Sequence, residues 1–143
     1  MWAMIFFICA AIHRELYPTS PILEYRGETF LFAAVMLIPR EYYPTKPYPY
    51  YRYLTAAVQG HPFGDQRWGF TSSFLGEAIA NASWFGCIIA IALFLGVGRV
   101  VDSSRGLLSK SLGLLMGILL MLVDPSTCIG IGLLWAVALA LKL

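Results

Sequence analysis

The stretch Trp84-Phe85-Gly86-Cys87-Ile88-Ile89-Ala90-Ile91-Ala92-Leu93-Phe94-Leu95-Gly96-Val97-Gly98-Arg99-Val100-Val101 decides the reading of the fold. As an α-helix it rises about 27 Å, close to a hydrocarbon thickness of about 30 Å. Its one charge, Arg99, stands near its end. Downstream, residues 107–123 are apolar once Lys110 snorkels to an interface, and residues 128–141 are apolar throughout. Between them Asp124-Pro125-Ser126-Thr127 is a turn signal, because Pro stops the preceding helix and Ser or Thr caps the next. The two are expected to form a transmembrane hairpin. Upstream, residues 1–12 are read as part of a further transmembrane helix, since no basic residue precedes them and no small-residue cleavage pattern follows.

Composition agrees with that class. Hydrophobic residues make up 59% and charged residues 13%, against about 25% charged in ordinary soluble domains. A chain of this balance places apolar surface in lipid more readily than in a water-exposed shell. The expected fold is therefore an all-α integral membrane domain of three to four transmembrane or membrane-embedded helices, with a long outward loop over 13–83 that contains short interfacial helices. The net charge of +2 without a dense basic run excludes nucleic acid as a partner. Cys9, Cys87 and Cys128 lie in apolar runs without a CxxC pair and are read as small buried hydrophobes. Neither a metal site nor a cofactor is expected.

Arg99, Arg105 and Lys110 crowd the short connection after residue 101, which puts that connection, and the C-terminus with Lys142, in the cytoplasm. The basic residues of 13–83 do not oppose this, since long loops translocate largely regardless of charge. Within that segment, Thr29 to Ile38 is too short to span and is expected in the interface or against the bundle. The run Pro39 to Tyr53 holds four prolines, which exclude a regular helix and favour a stiff, extended path. From about Ser73 a helix is expected to run into the Trp84 stretch, with Ser73, Glu77 and Asn81 at successive i+4 positions on one polar face.

Candidate chemistry follows from these placements. Arg40 and Lys46 on the stiff loop could hold a phosphate, Arg by its planar fork and Lys as a point charge, or could anchor the loop at an interface. Glu77, near the water end of a helix, is the candidate acid or base, its alternative being stabilisation of the helix dipole. His61 and Arg67 are loop residues that form no triad spacing with Ser72 or Ser73. Gly113 and Gly117 form a GxxxG pair suited to close helix packing.

Arg26-Gly27-Glu28-Thr29-Phe30, the apolar stretch to Ile38, and Pro39-Arg40 with Lys46-Pro47 resemble the outward loop of bacterial O-antigen polymerases, the oligosaccharide repeat-unit polymerase family. Thr71-Ser72-Ser73-Phe74-Leu75-Gly76-Glu77, then Asn81 and Trp84-Phe85-Gly86, resemble the segment leading into a late membrane helix of that family. The resemblance implies a multi-pass enzyme of the bacterial inner membrane that joins undecaprenyl-diphosphate-linked oligosaccharides at its periplasmic face. Glu77 and Arg40 would then be catalytic, with Lys46, Arg67, His61, Ser73 and Asn81 binding substrate. The implied partners are lipid-linked oligosaccharide, membrane lipids and a chain-length regulator. Family members carry more membrane helices, so the chain would be a C-terminal part. An O-antigen ligase-like transferase and a non-catalytic membrane subunit are the alternatives.

Overall fold

Seven α-helices follow one another through residues 2–17, 22–60, 69–70, 72–123 and 125–142, the portion described in this computed structural model. They are α1 (Trp2–Leu16), α2 (Glu28–Val35), α3 (Tyr50–Gln59), α4 (Phe74–Ala82), α5 (Phe85–Ser103), α6 (Leu107–Leu122) and α7 (Pro125–Ala140). Local chemistry sets several boundaries. Gly27, at φ 85°, supplies the left-handed turn that starts α2, a conformation that a Cβ makes costly. The prolines keep residues 39–49 out of helix, and Pro49 in extended geometry then becomes the N-cap of α3. Tyr50 to Tyr53 are thus helical rather than part of the extended path, because a proline restrains the residues before it and not those after. Gly60 ends α3 at φ 67° with its N–H on the Ala56 carbonyl at 2.9 Å. Pro125 is the first residue of α7, where its missing N–H costs nothing.

The helix expected to run unbroken into the Trp84 stretch is two helices. Ser73 caps α4 by accepting the Gly76 N–H at 3.3 Å. At the far end Ser83 takes φ 56° and ψ −144°, which breaks the helix before α5 begins. That conformation is uncommon for a non-glycine residue, and the Ser83 hydroxyl is tied to Glu15 of α1.

Two apolar clusters meet at α4. Leu23, Tyr50, Tyr53 and Leu54 form one, with Ala80 of α4 packed on its edge. Phe74, Ala78, Ala90, Leu120 and Cys128 form the other, which joins α4 to α5, α6 and α7. Glycines allow the close crossings: a Cβ on Gly86 would fall on the Ala78 backbone, and one on Gly113 would collide with Val101 and lie 2.9 Å from the Trp135 ring. Gly117, by contrast, has 3.8 Å of ordinary clearance to Val97. Of the GxxxG pair, only Gly113 is required by packing.

The expected membrane architecture is corrected by these helices. Among the described residues one helix, α5, is long and apolar enough to cross a membrane. Helices α6 and α7 have 16 residues each, short of the roughly 17 to 25 a span needs. Helix α1 packs against α4 and carries His13 and Arg14 in its last turn. Nor is 13–83 an outward loop, for it contains α2, α3 and α4 and much of the buried core. The arrangement is a packed all-α domain with one long apolar helix rather than three to four spans. The multi-pass inner-membrane placement with a cytoplasmic C-terminus depended on that count and falls with it. Hydropathy misled here because an apolar run does not fix the helix that forms within it, and α6 and α7 stop at 16 residues. On their outer sides α5 and α6 leave large side chains open, Ile88, Leu95 and Leu107 being 63%, 69% and 81% exposed. The cysteines also differ from expectation: Cys128 is buried, Cys87 half-buried and Cys9 exposed, all as free thiols.

Candidate binding site

The first turn of α2 carries two consecutive polar residues into the interior. Glu28 and Thr29 are 4% and 1% exposed. Burial of a carboxylate is costly unless its oxygens are hydrogen-bonded. Both Glu28 oxygens are: Oε1 accepts the Tyr53 hydroxyl of α3, and Oε2 accepts the Glu24 N–H at 3.1 Å. Tyr53 O–H in turn accepts the Tyr48 N–H at 3.2 Å, which links α2, α3 and the proline loop. Burial, and then the hydrogen bond to Glu28, push the Tyr53 phenol well above its ordinary range.

Thr29 turns to α4. Its hydroxyl donates to Glu77 Oε1 at 2.6 Å and accepts from Asn81 Nδ2 at 2.7 Å, while its N–H donates to Asn81 Oδ1 at 3.2 Å. Asn81 Nδ2 also donates to the Glu77 carbonyl at 2.8 Å. Tyr50 lies in the same interior at 1% exposure, and its hydroxyl has no hydrogen-bond partner among the described residues. Burial, followed by the nearby charge of Glu77, drives the Tyr50 phenol far upward.

The proline loop is held by its two cations. Lys46, only 7% exposed, donates its ammonium to the Met36 and Ile38 carbonyls at 2.6 and 2.8 Å. These close the C-terminal end of α2, where carbonyls lack helix partners and a cation is favoured. Arg40 donates Nη1 and Nη2 to the Lys46 and Pro47 carbonyls at 2.7 and 2.8 Å and stacks 3.9 Å over the Tyr48 ring.

A cavity of about 310 Å³ opens between the loop and α2, lined by Glu24, Tyr25 and Glu28 on one side and Arg40, Tyr48 and Tyr53 among those on the other. Its size matches the lower end of small-molecule sites, about 300 to 1,000 Å³. Two carboxylates and two cations line it, since Lys46 also contributes.

The residues singled out from sequence separate into two places. Arg40 and Lys46 line the cavity, with their principal donors on backbone carbonyls. Glu77 and Asn81 are buried behind it in the Thr29 network, and Ser73 is the α4 N-cap. His61 and Arg67 lie outside the described residues. The sequence reading missed Glu24, Tyr25, Glu28, Thr29 and Tyr53. The signal in the sequence is Glu28 at the first position of a short helix, with Glu24 four residues before it, opposite a tyrosine-rich loop. Among the described residues no group of three or more His, Cys, Asp or Glu is placed to hold a metal ion.

No family model, no curated protein and no solved structure matches this chain. The resemblance to O-antigen polymerases therefore rests on the two motifs alone. Polymerisation of lipid-linked oligosaccharides is withdrawn, together with the ligase-like and membrane-subunit alternatives. All three required a multi-span membrane fold that the helices do not form.

Proposed function

We propose that this chain is a ligand-binding helical module whose loop-lined cleft takes an uncharged, polyhydroxylated molecule, a saccharide. The supporting observation is the cavity's lining: Glu24 and Glu28 balance Arg40 and Lys46, and tyrosine rings fill the space between. A balanced site attracts neither a polyanion nor a polycation by charge. The exposed Tyr25 ring offers a flat apolar face for C–H groups, and the exposed Glu24 carboxylate offers acceptors for neighbouring hydroxyls. With Arg40 and Lys46 already bonded to carbonyls, a diphosphate finds neither the open fork nor the mobile ammonium that it needs. The loop is preorganised by the same bonds, so little ordering cost falls on binding.

The test is a calorimetric and NMR titration of the full chain with a panel of neutral monosaccharides, with glycine as a zwitterion and inorganic phosphate as an anion. Saturable binding of a neutral sugar is expected, weakened roughly tenfold by Tyr25→Ala, about 1.4 kcal/mol. Binding of phosphate or glycine with no response to any sugar would overturn the assignment.

A further inference from the structure

A second cavity, of about 240 Å³, lies between α1, α4 and residues 22–26, and Glu24 and Tyr25 line this cavity as well as the first. The two spaces adjoin through these two shared residues. Both residues are exposed, Tyr25 by 50%. The second cavity is lined by Arg14, Arg26, Glu15 and Glu24; Glu24 is shared, so the two linings together hold four cations (Arg14, Arg26, Arg40, Lys46) and three carboxylates (Glu15, Glu24, Glu28). Here too the cations are held, Arg14 by the Ala57 carbonyl at 2.8 Å and Arg26 by Glu15 at 2.7 Å. Ala11 and Ala80 give it small walls, leaving room where larger side chains would fill it.

From this geometry we infer that the two cavities are adjoining subsites for one linear ligand of at least two sugar units, lying across the Tyr25 ring. The inference rests on the saccharide reading of the first cavity and adds the length of the ligand and the residues that meet its second unit. An aromatic face between two subsites supports the link between units through apolar contact, while each compartment supplies hydroxyl partners of its own. With all four cations already bonded within the fold, neither compartment offers a free cation to an anionic end of the ligand, and the class is a neutral oligosaccharide.

The experiment takes whichever monosaccharide binds the full chain and repeats the titration with its dimer and trimer. Affinity is expected to rise at least tenfold from monomer to dimer and to change less than threefold from dimer to trimer. Arg26→Ala, on a side chain that is 59% exposed, should remove most of the gain. In parallel, the Ala11 and Ala80 methyl signals should shift with the dimer in the unaltered chain, which reads the second subsite without any substitution. Monomer binding with no gain from the dimer, or a gain without movement of those methyls, would overturn the two-subsite inference and leave the single-cavity reading standing. Failure of every sugar to bind would overturn both.

Discussion

Glu28 and Thr29 are consecutive residues of α2 that bond to different helices, Glu28 to Tyr53 on α3 and Thr29 to Glu77 and Asn81 on α4. One short helix thereby joins the wall of the cavity to the buried polar interior. Because each contact satisfies a group that is almost fully buried, its loss would expose a desolvation cost as well as remove a bond.

Thr29→Val should therefore destabilise the protein by about 2 to 3 kcal/mol, since it strips a donor from Glu77 and an acceptor from Asn81 while keeping the side chain's volume. Thr29→Ser retains the hydroxyl and should cost about 1 kcal/mol, close to one buried methyl group. Urea unfolding of the two variants beside the parent measures the difference; equal losses would mean that volume rather than hydrogen bonding matters at this position.

Tyr50 gives the opposite sign. Its hydroxyl is buried without a hydrogen-bond partner among the described residues, so Tyr50→Phe should stabilise the fold by about 1 kcal/mol. Its phenol is raised by burial and by Glu77. The stability tied to the neutral phenol is fully present below the unfolded value of about 10 and is lost as pH rises above it. Alkaline unfolding followed by circular dichroism should begin at higher pH in Tyr50→Phe than in the parent.

At the acid side Glu15 is the informative group. Its carboxyl is lowered chiefly by the Arg26 hydrogen bond, against an upward push from burial, with Ser83 adding to the lowering. A lowered carboxyl stabilises the fold above its unfolded value near 4.5 and ceases to do so as pH falls through the folded value. Arg26→Ala should flatten the acid limb of stability between about pH 5 and 3 by less than about 1 kcal/mol, because the Arg26 side chain is 59% exposed.

The two glycines of the GxxxG pair should respond differently to alanine. Gly113→Ala forces a Cβ against Val101 and Trp135 and should cost about 1 to 3 kcal/mol. Gly117→Ala meets Val97 at 3.8 Å and should be neutral or stabilising by up to about 1 kcal/mol, through helix propensity. Thermal unfolding of the two variants separates them in one experiment.

Lys46→Met keeps the apolar stem and removes the ammonium from the Met36 and Ile38 carbonyls. Those carbonyls close α2, so the loss should be about 2 kcal/mol, expressed as local opening of the proline loop. Hydrogen exchange should quicken at Tyr42, Tyr43 and Lys46, whose amides bond within the loop, more than within α6.

Several features were legible in the chain itself. The apolar runs mark helices because their backbones satisfy their own hydrogen bonds; the prolines exclude helix from 39–49 because they lack an N–H. The start of α4 was legible near Ser73, although Ser73 is the N-cap of that helix rather than part of its polar face. The break at Ser83 was not legible, because it depends on a left-handed conformation held by Glu15, a partner 68 residues away. Nor was the burial of Glu77: spacing showed a polar face on α4, but only the arrival of Thr29, 48 residues earlier, turns that face inward.

By itself the sequence determined that its apolar runs are helical, that prolines stiffen residues 39–49, and that it has apolar surface in excess. Those properties follow from interactions between residues close along the chain. The tertiary structure alone decided which polar groups are buried together, that Arg40 and Lys46 bind carbonyls, and that Glu24 and Tyr25 line both cavities. These depend on contacts between helices far apart in sequence, and a charge or hydroxyl carries no local mark of the partner that will meet it.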